Sequence, residues 1–258
     1  IRRSMVLGRP IEGCKQCYLE EANGNRGSLR HRSFTEWLDG RADIADLICN
    51  SINNNFFVSD SPKYLELKPG NLCNLKCRMC NQYDSSKVAR ELKELSKKYT
   101  GLVRVGQSRL FDSENFDVNF DLSQMPNWGD KKEVWATVEK MLPHLEVISF
   151  AGGEPTLIEG VSYVLQRCVE TNNARHIKVF FSSNFMQMPR LYIDLAPHFK
   201  CFEFIASIDG YGPIQEYIRH PSKWKTVSAN FKKFKEIMSP ETGCKILANI
   251  TVQINNIL

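Results

Sequence analysis

The sequence predicts an α/β fold with a parallel sheet from about residue 63 onward. Two observations predict it: short apolar runs with strand character recur in this region, and segments with helical spacing separate them. Strands that alternate with helices form βαβ units, so the expected architecture is a partial (β/α) barrel or a doubly wound sheet. The strand candidates are residues 63–69, 145–153, 176–184, 201–210 and 244–254.

Helical patterns lie between these strands, and each strand candidate is followed by polar residues. In a barrel and in a doubly wound sheet alike, such residues collect at the carboxyl edge of the strands, where chemistry is concentrated. Residues 101–130 are polar and contain several glycines, which favours an excursion outside the core. The helix candidates are residues 85–99, 131–142, 160–172, about 188–197 and 222–238.

Composition places the chain among ordinary globular proteins. Its 258 residues are 42% hydrophobic and 24% charged, with a net charge of +5. No apolar run of roughly 18 residues and no signal-peptide pattern is present, so we expect a cytoplasmic protein without a membrane segment. Nine cysteines are many for such a chain, and clustered cysteines in a reducing compartment favour metal ligands over disulfides.

Residues 1–60 are expected to form a separate leading segment, followed by the α/β part at residues 61–258. Residues 14–33 are polar and rich in turn formers, whereas residues 33–48 show helical spacing interrupted by Gly40. Residues 52–62 are expected to be a loop or a short extended piece. The chain does not begin with Met and stops after an apolar strand, so a fragment truncated at both ends is expected.

Three cysteines stand together in "GNLCNLKCRMCNQYD" (70–84), directly after the first strand candidate. Cys73, Cys77 and Cys80 have the spacing C-x3-C-x2-C. Three thiolates can bind three irons of a cubane and leave one iron open, whereas electron-transfer clusters and structural zinc sites normally have four protein ligands. A substrate or cofactor could therefore complete the site. The alternative is a zinc ion whose fourth ligand lies elsewhere, for example His31 or His144.

This motif resembles the signature of radical S-adenosylmethionine (radical SAM) enzymes. The resemblance implies a partial (β/α)6 barrel, of which residues 63–258 would supply five βα units. It also implies that Cys73, Cys77 and Cys80 hold a [4Fe–4S] cluster and that SAM chelates the fourth iron. The reduced cluster would cleave SAM to a 5′-deoxyadenosyl radical, with electrons from a donor such as a flavodoxin or ferredoxin. The protein would add no catalytic residue beyond these ligands.

The next two strand ends carry further similarity to this family. "FAGGEPTL" (150–157) is similar to the GGE motif, which implies that Gly152, Gly153 and Glu154 hold the SAM amino group. In isolation these residues would predict a turn. "FFSSN" (180–184) places Ser183 and Asn184 where the family often contacts the ribose, although a helix cap explains them equally well.

The fourth strand ends in "ASIDGYGPIQEYIR" (206–219), which resembles a pattern of radical SAM enzymes that act on peptides and proteins. The resemblance implies that Ser207 and Arg219 bind the SAM carboxylate, with Asp209 nearby. A guanidinium suits a carboxylate because it offers a rigid pair of donors. One departure is Met79, since the residue before the third cysteine is commonly aromatic in the family. Tyr83 could compensate for this change.

A second pair, Cys14 and Cys17, has the spacing C-x2-C. It resembles part of an auxiliary-cluster segment of the SPASM or twitch type, which implies a second Fe–S cluster; a zinc site, redox chemistry and chance also fit. The other four cysteines lie in apolar surroundings and are expected to be packing residues.

The best prediction from these patterns is a radical SAM enzyme that modifies a peptide or protein. Two alternatives stay open: a radical SAM enzyme acting on nucleic acid or a small molecule, and a non-catalytic zinc-binding module.

Overall fold

The computed structural model describes residues 1–38, 41–58, 61–98, 127–238 and 243–257. The chain divides into two compact units, Ile1–Asp60 and Ser61–Leu258. Gly40 and most of the expected excursion, residues 101–126, lie outside the described residues. Within the described ranges, no helix combines the length and apolar character that crossing a membrane requires.

The first unit is helical in its described part. The turn-rich segment 14–33 forms turns only in its middle, at residues 23–24 and 26–27, because α2 forms at Lys15–Ala22 and α3 forms at Leu29–Leu38. Pairing along the helix stabilises it, since the Gln16 side chain donates to Glu20 one turn later at 3.1 Å. The expected helix at 33–48 is two helices, and the second extends into the expected loop. The helices are α1 (Arg2–Val6), α2 (Lys15–Ala22), α3 (Leu29–Leu38) and α4 (Ile44–Asn53).

The second unit contains a five-stranded parallel sheet in its described residues. Its order follows the chain, from the first strand to the fifth. A doubly wound sheet reverses its strand order at a switch point, whereas a barrel adds each strand beside the last. The prediction of a partial barrel with parallel strands is therefore confirmed. The strands are β1 (Tyr64–Leu67), β2 (Val147–Phe150), β3 (Lys178–Ser183), β4 (Cys201–Ser207) and β5 (Cys244–Asn249).

The expected helices all form, with small shifts at their ends. One helix of the second unit was not predicted among the described residues: α9 is only six residues long, and its sequence favours a turn because Gly210 and Gly212 precede Pro213. Proline fits the first turn of a helix, where its missing N–H has no partner to lose. The helices are α5 (Ser86–Lys98), α6 (Lys132–Met141), α7 (Glu159–Glu170), α8 (Arg190–Leu195), α9 (Pro213–Ile218) and α10 (Trp224–Ile237).

Phenylalanines form the centre of the core. Phe181 on β3 is fully buried and contacts rings on both neighbouring strands. Its ring centroid lies 5.9 Å from that of Phe150 and 5.8 Å from that of Phe204. The Phe202 and Phe204 rings stack at 4.5 Å, since residues two apart on a strand share one face. This packing fixes the strands against one another.

The strand register brings the carboxyl ends of the strands to one edge. Leu67 pairs with Phe150, Phe150 with Phe181, and Phe181 with Phe204. The segments that follow these positions carry the motifs identified in the sequence, so they emerge side by side.

Replacing Phe181 with Ala is expected to lower the free energy of unfolding by about 3–5 kcal/mol, because it leaves a cavity among four aromatic rings. Urea unfolding followed by circular dichroism measures the loss. The exposed Val252→Ala serves as the control and should change stability by no more than about 0.5 kcal/mol. A loss for Phe181→Ala as small as that of the control would contradict the proposed centre of the core.

Candidate cofactor site

One cavity of about 310 Å³ lies at the carboxyl edge of the sheet. It brings together the three clustered cysteines and the polar residues that follow β2, β3 and β4. Every predicted site residue of the second unit lines it except Asp209, which lies behind Arg219. The lining residues are Cys73, Cys77, Met79, Cys80, Asp84, Gly152, Gly153, Glu154, Ser182, Ser183, Asn184, Ser207 and Arg219.

Backbone hydrogen bonds hold the cysteine loop, residues 70–84, in place. The Lys76 N–H donates to the His220 carbonyl at 2.7 Å, and the Arg78 N–H donates to the Ile218 carbonyl at 2.8 Å. These two bonds lie on either side of Cys77 and attach the loop to the end of α9 and the residues just after it. The middle of the loop is thereby fixed before any ligand binds.

The start of the loop is fixed by the residues that open α5. The Ser85 hydroxyl donates to the Leu75 carbonyl at 2.6 Å, and the Ser86 hydroxyl accepts from the Cys73 N–H at 3.2 Å. Leu75 is buried and anchors the loop to the protein interior. Cys73 therefore has a defined position relative to Cys77.

The cysteines surround a shared space. All three line the same cavity. Within the part of the chain that the structure describes, no group of three or more His, Cys, Asp or Glu side chains is arranged to hold a metal ion. The exposed His144 precedes β2, at the amino edge of the sheet, and so lies away from the cysteines.

Burial keeps the three thiols protonated in the absence of metal. It raises the pKa of Cys77 to about 12 and that of Cys80 to about 11, and it also raises the pKa of Cys73. The nearby Arg219 guanidinium opposes the increase at Cys77, whereas Asp84 adds to the increase at Cys80. Metal ligation requires thiolates, so loading the site releases protons.

The glycines after β2 are required by the backbone itself. Gly152 and Gly153 have φ angles of +74° and +58°, in the left-handed region that favours glycine. A Cβ on Gly153 would lie 2.5 Å from the Leu72 carbonyl oxygen. In addition, the Glu154 N–H donates to this carbonyl at 2.7 Å. The Gly-Gly turn thus packs directly on the cysteine loop.

The Glu154 carboxylate is almost completely buried and is bonded within the protein. Its Oε1 accepts from the hydroxyls of Thr156 and Ser183, both at 2.8 Å, and its Oε2 accepts from the Asn184 N–H at 2.8 Å. Burial raises the pKa of this carboxyl, and the donors act in the opposite direction. Glu154 therefore joins the end of β2 to the end of β3.

Asn184 continues this network to the cysteine loop. Its side-chain amide donates to the Asn74 side-chain oxygen at 2.7 Å. Asn74 lies between Cys73 and Cys77 in the sequence. The residues that end β2 and β3 are consequently tied to the loop that carries the thiols.

Arg219 forms a buried, bidentate ion pair with Asp209. The Nε–Oδ2 and Nη2–Oδ1 distances are 2.6 and 3.2 Å. The Arg219 side chain is 11% exposed and that of Asp209 is 0% exposed. Asp209 thus orients Arg219 and makes no contact with the cavity itself. The sequence pattern does not reveal this pairing.

Ser207 has an uncommitted hydroxyl at the cavity. In the described part of the chain, this hydroxyl has no hydrogen-bond partner. Sequence reasoning missed two lining residues, Ser182 and Asp84. The first is adjacent to the predicted Ser183, and the second ends the cysteine loop and forms an ion pair with Lys68. The only sequence signal for these two residues is that they lie close to predicted site residues.

The second cysteine pair lies in the first unit. Cys14 ends a short 3₁₀ turn and Cys17 lies in α2, and both are half-buried free thiols. A metal role for Cys14 and Cys17 stays a prediction.

No family model and no curated protein matches the sequence. The structure is similar to solved structures of SuiB and anSMEcpe. The structure of Streptococcus suis SuiB bound to precursor peptide SuiA has a TM-score of 0.46 and 16% identity, and the match covers 81% of this chain and 37% of SuiB. That of anSMEcpe with bound AdoMet and Cp18Cys peptide has a TM-score of 0.41 and 18% identity, and the match covers 72% of this chain and 42% of anSMEcpe.

A further SuiB structure, bound to S-adenosylmethionine, has a TM-score of 0.43 and 14% identity, and the match covers 81% of this chain and 38% of SuiB. This chain therefore matches less than half of the length of each solved structure. Likeness at this level concerns the arrangement of the chain and assigns no substrate or reaction.

Replacing Gly153 with Ala is expected to destabilise the protein and to prevent iron loading, because the new Cβ would clash with the Leu72 carbonyl. Gly212→Ala is a matched control: Gly212 also has a positive φ, +55°, but a Cβ there meets open space. The control should lose roughly 1–3 kcal/mol from backbone strain alone, because its ψ of −127° places it in a region that residues other than glycine rarely adopt. Urea unfolding and iron analysis after reconstitution compare the two variants. Equal losses and equal iron content would show that the clash has no effect.

Proposed function

We propose that this protein is a radical SAM enzyme. In this proposal Cys73, Cys77 and Cys80 bind a [4Fe–4S] cluster that, when bound, supplies the electron for reductive cleavage of SAM to a 5′-deoxyadenosyl radical. The observation that carries the proposal is the single cavity shared by the three thiols, the Gly-Gly-Glu turn and the polar ends of β3 and β4. An external electron donor, such as a flavodoxin or ferredoxin, is part of the proposal.

The chemistry of the lining residues supports a zwitterionic ligand beside the cysteines. Arg219 has five N–H donors and uses two of them on Asp209, so others remain for a carboxylate. The free Ser207 hydroxyl can add a further hydrogen bond. We assign the SAM carboxylate to Arg219 and Ser207.

We assign the amino group of SAM to the Gly-Gly-Glu turn. Glu154 Oε2 accepts a single hydrogen bond, from the Asn184 N–H, and so retains capacity to accept from an ammonium. Its other oxygen is occupied by Thr156 and Ser183. Ser183 and Asn184 therefore act mainly by holding Glu154, and Ser182 is the freer polar residue of this strand end.

A peptide or protein is the proposed substrate. Apolar side chains are exposed on and before α9, the helix that leads to Arg219. Tyr211, Ile214 and Tyr217 recur at intervals of three, so they share one side of the chain, and they are 76%, 43% and 52% exposed. An exposed apolar surface on the helix that leads to Arg219 suits the apolar side chains of a peptide.

The proposed location is the cytoplasm, where a reducing environment keeps thiols available for cluster assembly. The role of residues 1–60 as part of an auxiliary-cluster module also stays within the proposal. Its cysteine pair would need further ligands from outside the described residues.

The deciding experiment is anaerobic reconstitution with iron and sulfide, followed by electron paramagnetic resonance (EPR) and an assay for 5′-deoxyadenosine. The wild-type protein should show a cubane signal that changes when SAM is added, and it should form 5′-deoxyadenosine. The Cys73/Cys77/Cys80→Ala variant should show neither the signal nor the product. Cys201→Ala, at the amino end of β4, is the control and should behave as the wild type. A colourless, zinc-containing wild-type protein would favour the structural-metal alternative instead.

Replacing Ser207 with Ala is expected to weaken SAM binding about fivefold to tenfold, which corresponds to the roughly 1 kcal/mol of one hydrogen bond. Calorimetric titration of the cluster-loaded protein with SAM measures this change. Ser162→Ala removes a hydroxyl that donates to the Glu159 carbonyl on α7 and should leave the affinity unchanged. Unchanged affinity in Ser207→Ala would contradict the assignment of this hydroxyl to the carboxylate.

A further inference from the structure

The third contact of the Arg219 guanidinium is with a cysteine sulfur. Asp209 engages Nε and Nη2, which leaves Nη1 on the far side of the guanidinium. Nη1 lies 4.0 Å from Cys77 Sγ. The ion pair thus presents its positive end to one of the three proposed cluster ligands.

Several contacts keep this arrangement rigid. Asp209 Oδ1 accepts a second hydrogen bond from the Thr251 N–H at 2.9 Å, and the Asp209 N–H donates to the Gln215 side chain at 2.8 Å. The Arg219 N–H donates to the Gln215 carbonyl at 2.9 Å. Both charged side chains are nearly or completely buried. A guanidinium held in this way cannot turn away from Cys77 without breaking a buried pair.

A fixed positive charge and N–H donor beside a ligand sulfur affect the redox properties of a cluster. Reduction adds one negative charge, and hydrogen bonds to sulfur stabilise the reduced form and so raise the reduction potential. Low local dielectric strengthens such an interaction. We propose that Arg219, oriented by Asp209, raises the reduction potential of the cluster bound by Cys73, Cys77 and Cys80. This inference rests on the proposed function.

A second arginine provides an internal control. Arg78 lies between Cys77 and Met79 in the cysteine loop and carries the same charge. Its guanidinium carbon lies 4.5 Å from the centroid of the Tyr217 ring, however, and its side chain is exposed. Removing Arg78 therefore takes the same charge from the same loop without removing a contact with sulfur.

The experiment is an EPR-monitored redox titration of the reconstituted full chain without SAM, with iron and sulfide content measured for each variant. Arg219→Met should shift the midpoint potential to a more negative value than that of the wild type. Arg219→Lys keeps the charge but not the bidentate pair, and it should give an intermediate value. Arg78→Met should stay close to the wild type. An unshifted Arg219→Met, or a shift no larger than that of Arg78→Met, overturns the inference.

A further variant distinguishes an effect on the reduction potential from a loss of folding. Arg219→Met leaves the buried Asp209 carboxylate without its partner, which can unfold the protein. Asp209→Asn/Arg219→Met removes both charges, so the net charge is unchanged while the contact with Cys77 is lost. This double variant should also have a potential below that of the wild type, and a wild-type value overturns the inference.

The two proposals fail in different ways. A wild-type protein that takes up no cluster overturns the proposed function and this inference with it. A loaded wild type with unshifted Arg219 variants overturns the inference alone. If the wild type binds the cluster but all Arg219 variants lose it, Arg219 is needed to hold the cluster. That result would also overturn the inference that Arg219 sets the reduction potential.

Discussion

The buried carboxylate of Glu154 is the interaction on which the geometry of the site depends. The carboxylate accepts hydrogen bonds from Ser183 and Asn184 at the end of β3, while the Glu154 backbone N–H donates to the cysteine loop. Asn184 then reaches the same loop through Asn74. Loops at the edge of a sheet are usually the most mobile parts of a protein. A buried polar network in which every group is hydrogen-bonded is rigid, however. The three loops therefore form one preorganised wall of the cavity.

Burial and charge act against each other around the thiols. Burial favours neutral cysteines, which is why the pKa values of Cys77 and Cys80 are raised in the metal-free protein. In the proposed function, a bound cluster would reverse this preference, because ligation to iron requires thiolates. Arg219 is the cation that the protein itself supplies beside Cys77, and its own burial is compensated by Asp209. The site is thus suited to a charged cofactor that the protein alone does not contain.

The elements with strong periodicity were predictable from the sequence. In the second unit, the five described strands and the longer helices form where alternation and helical spacing placed them, because these patterns report which faces are buried. Short elements were less predictable. α2 forms in a polar segment that carries no apolar periodicity, with only a small contribution from the Gln16–Glu20 hydrogen bond, and α9 forms after two glycines because Pro213 fits a first turn. Nor does periodicity distinguish a barrel from a doubly wound sheet, since both consist of the same βαβ units; only the strand order decides it.

Local spacing by itself determined the candidate ligands: three cysteines within one loop, and small polar residues after three strands. Each of these groups lies within one short segment of the chain, so its spacing can be read directly from the sequence. Only the tertiary structure decided how they act on one another. Glu154 is bonded to a neighbouring strand, Arg219 is held by Asp209 and contacts Cys77, and Ser182 and Asp84 join the cavity. The physical reason is that strand register and loop packing, which the sequence encodes only through long-range contacts, determine which side chains meet.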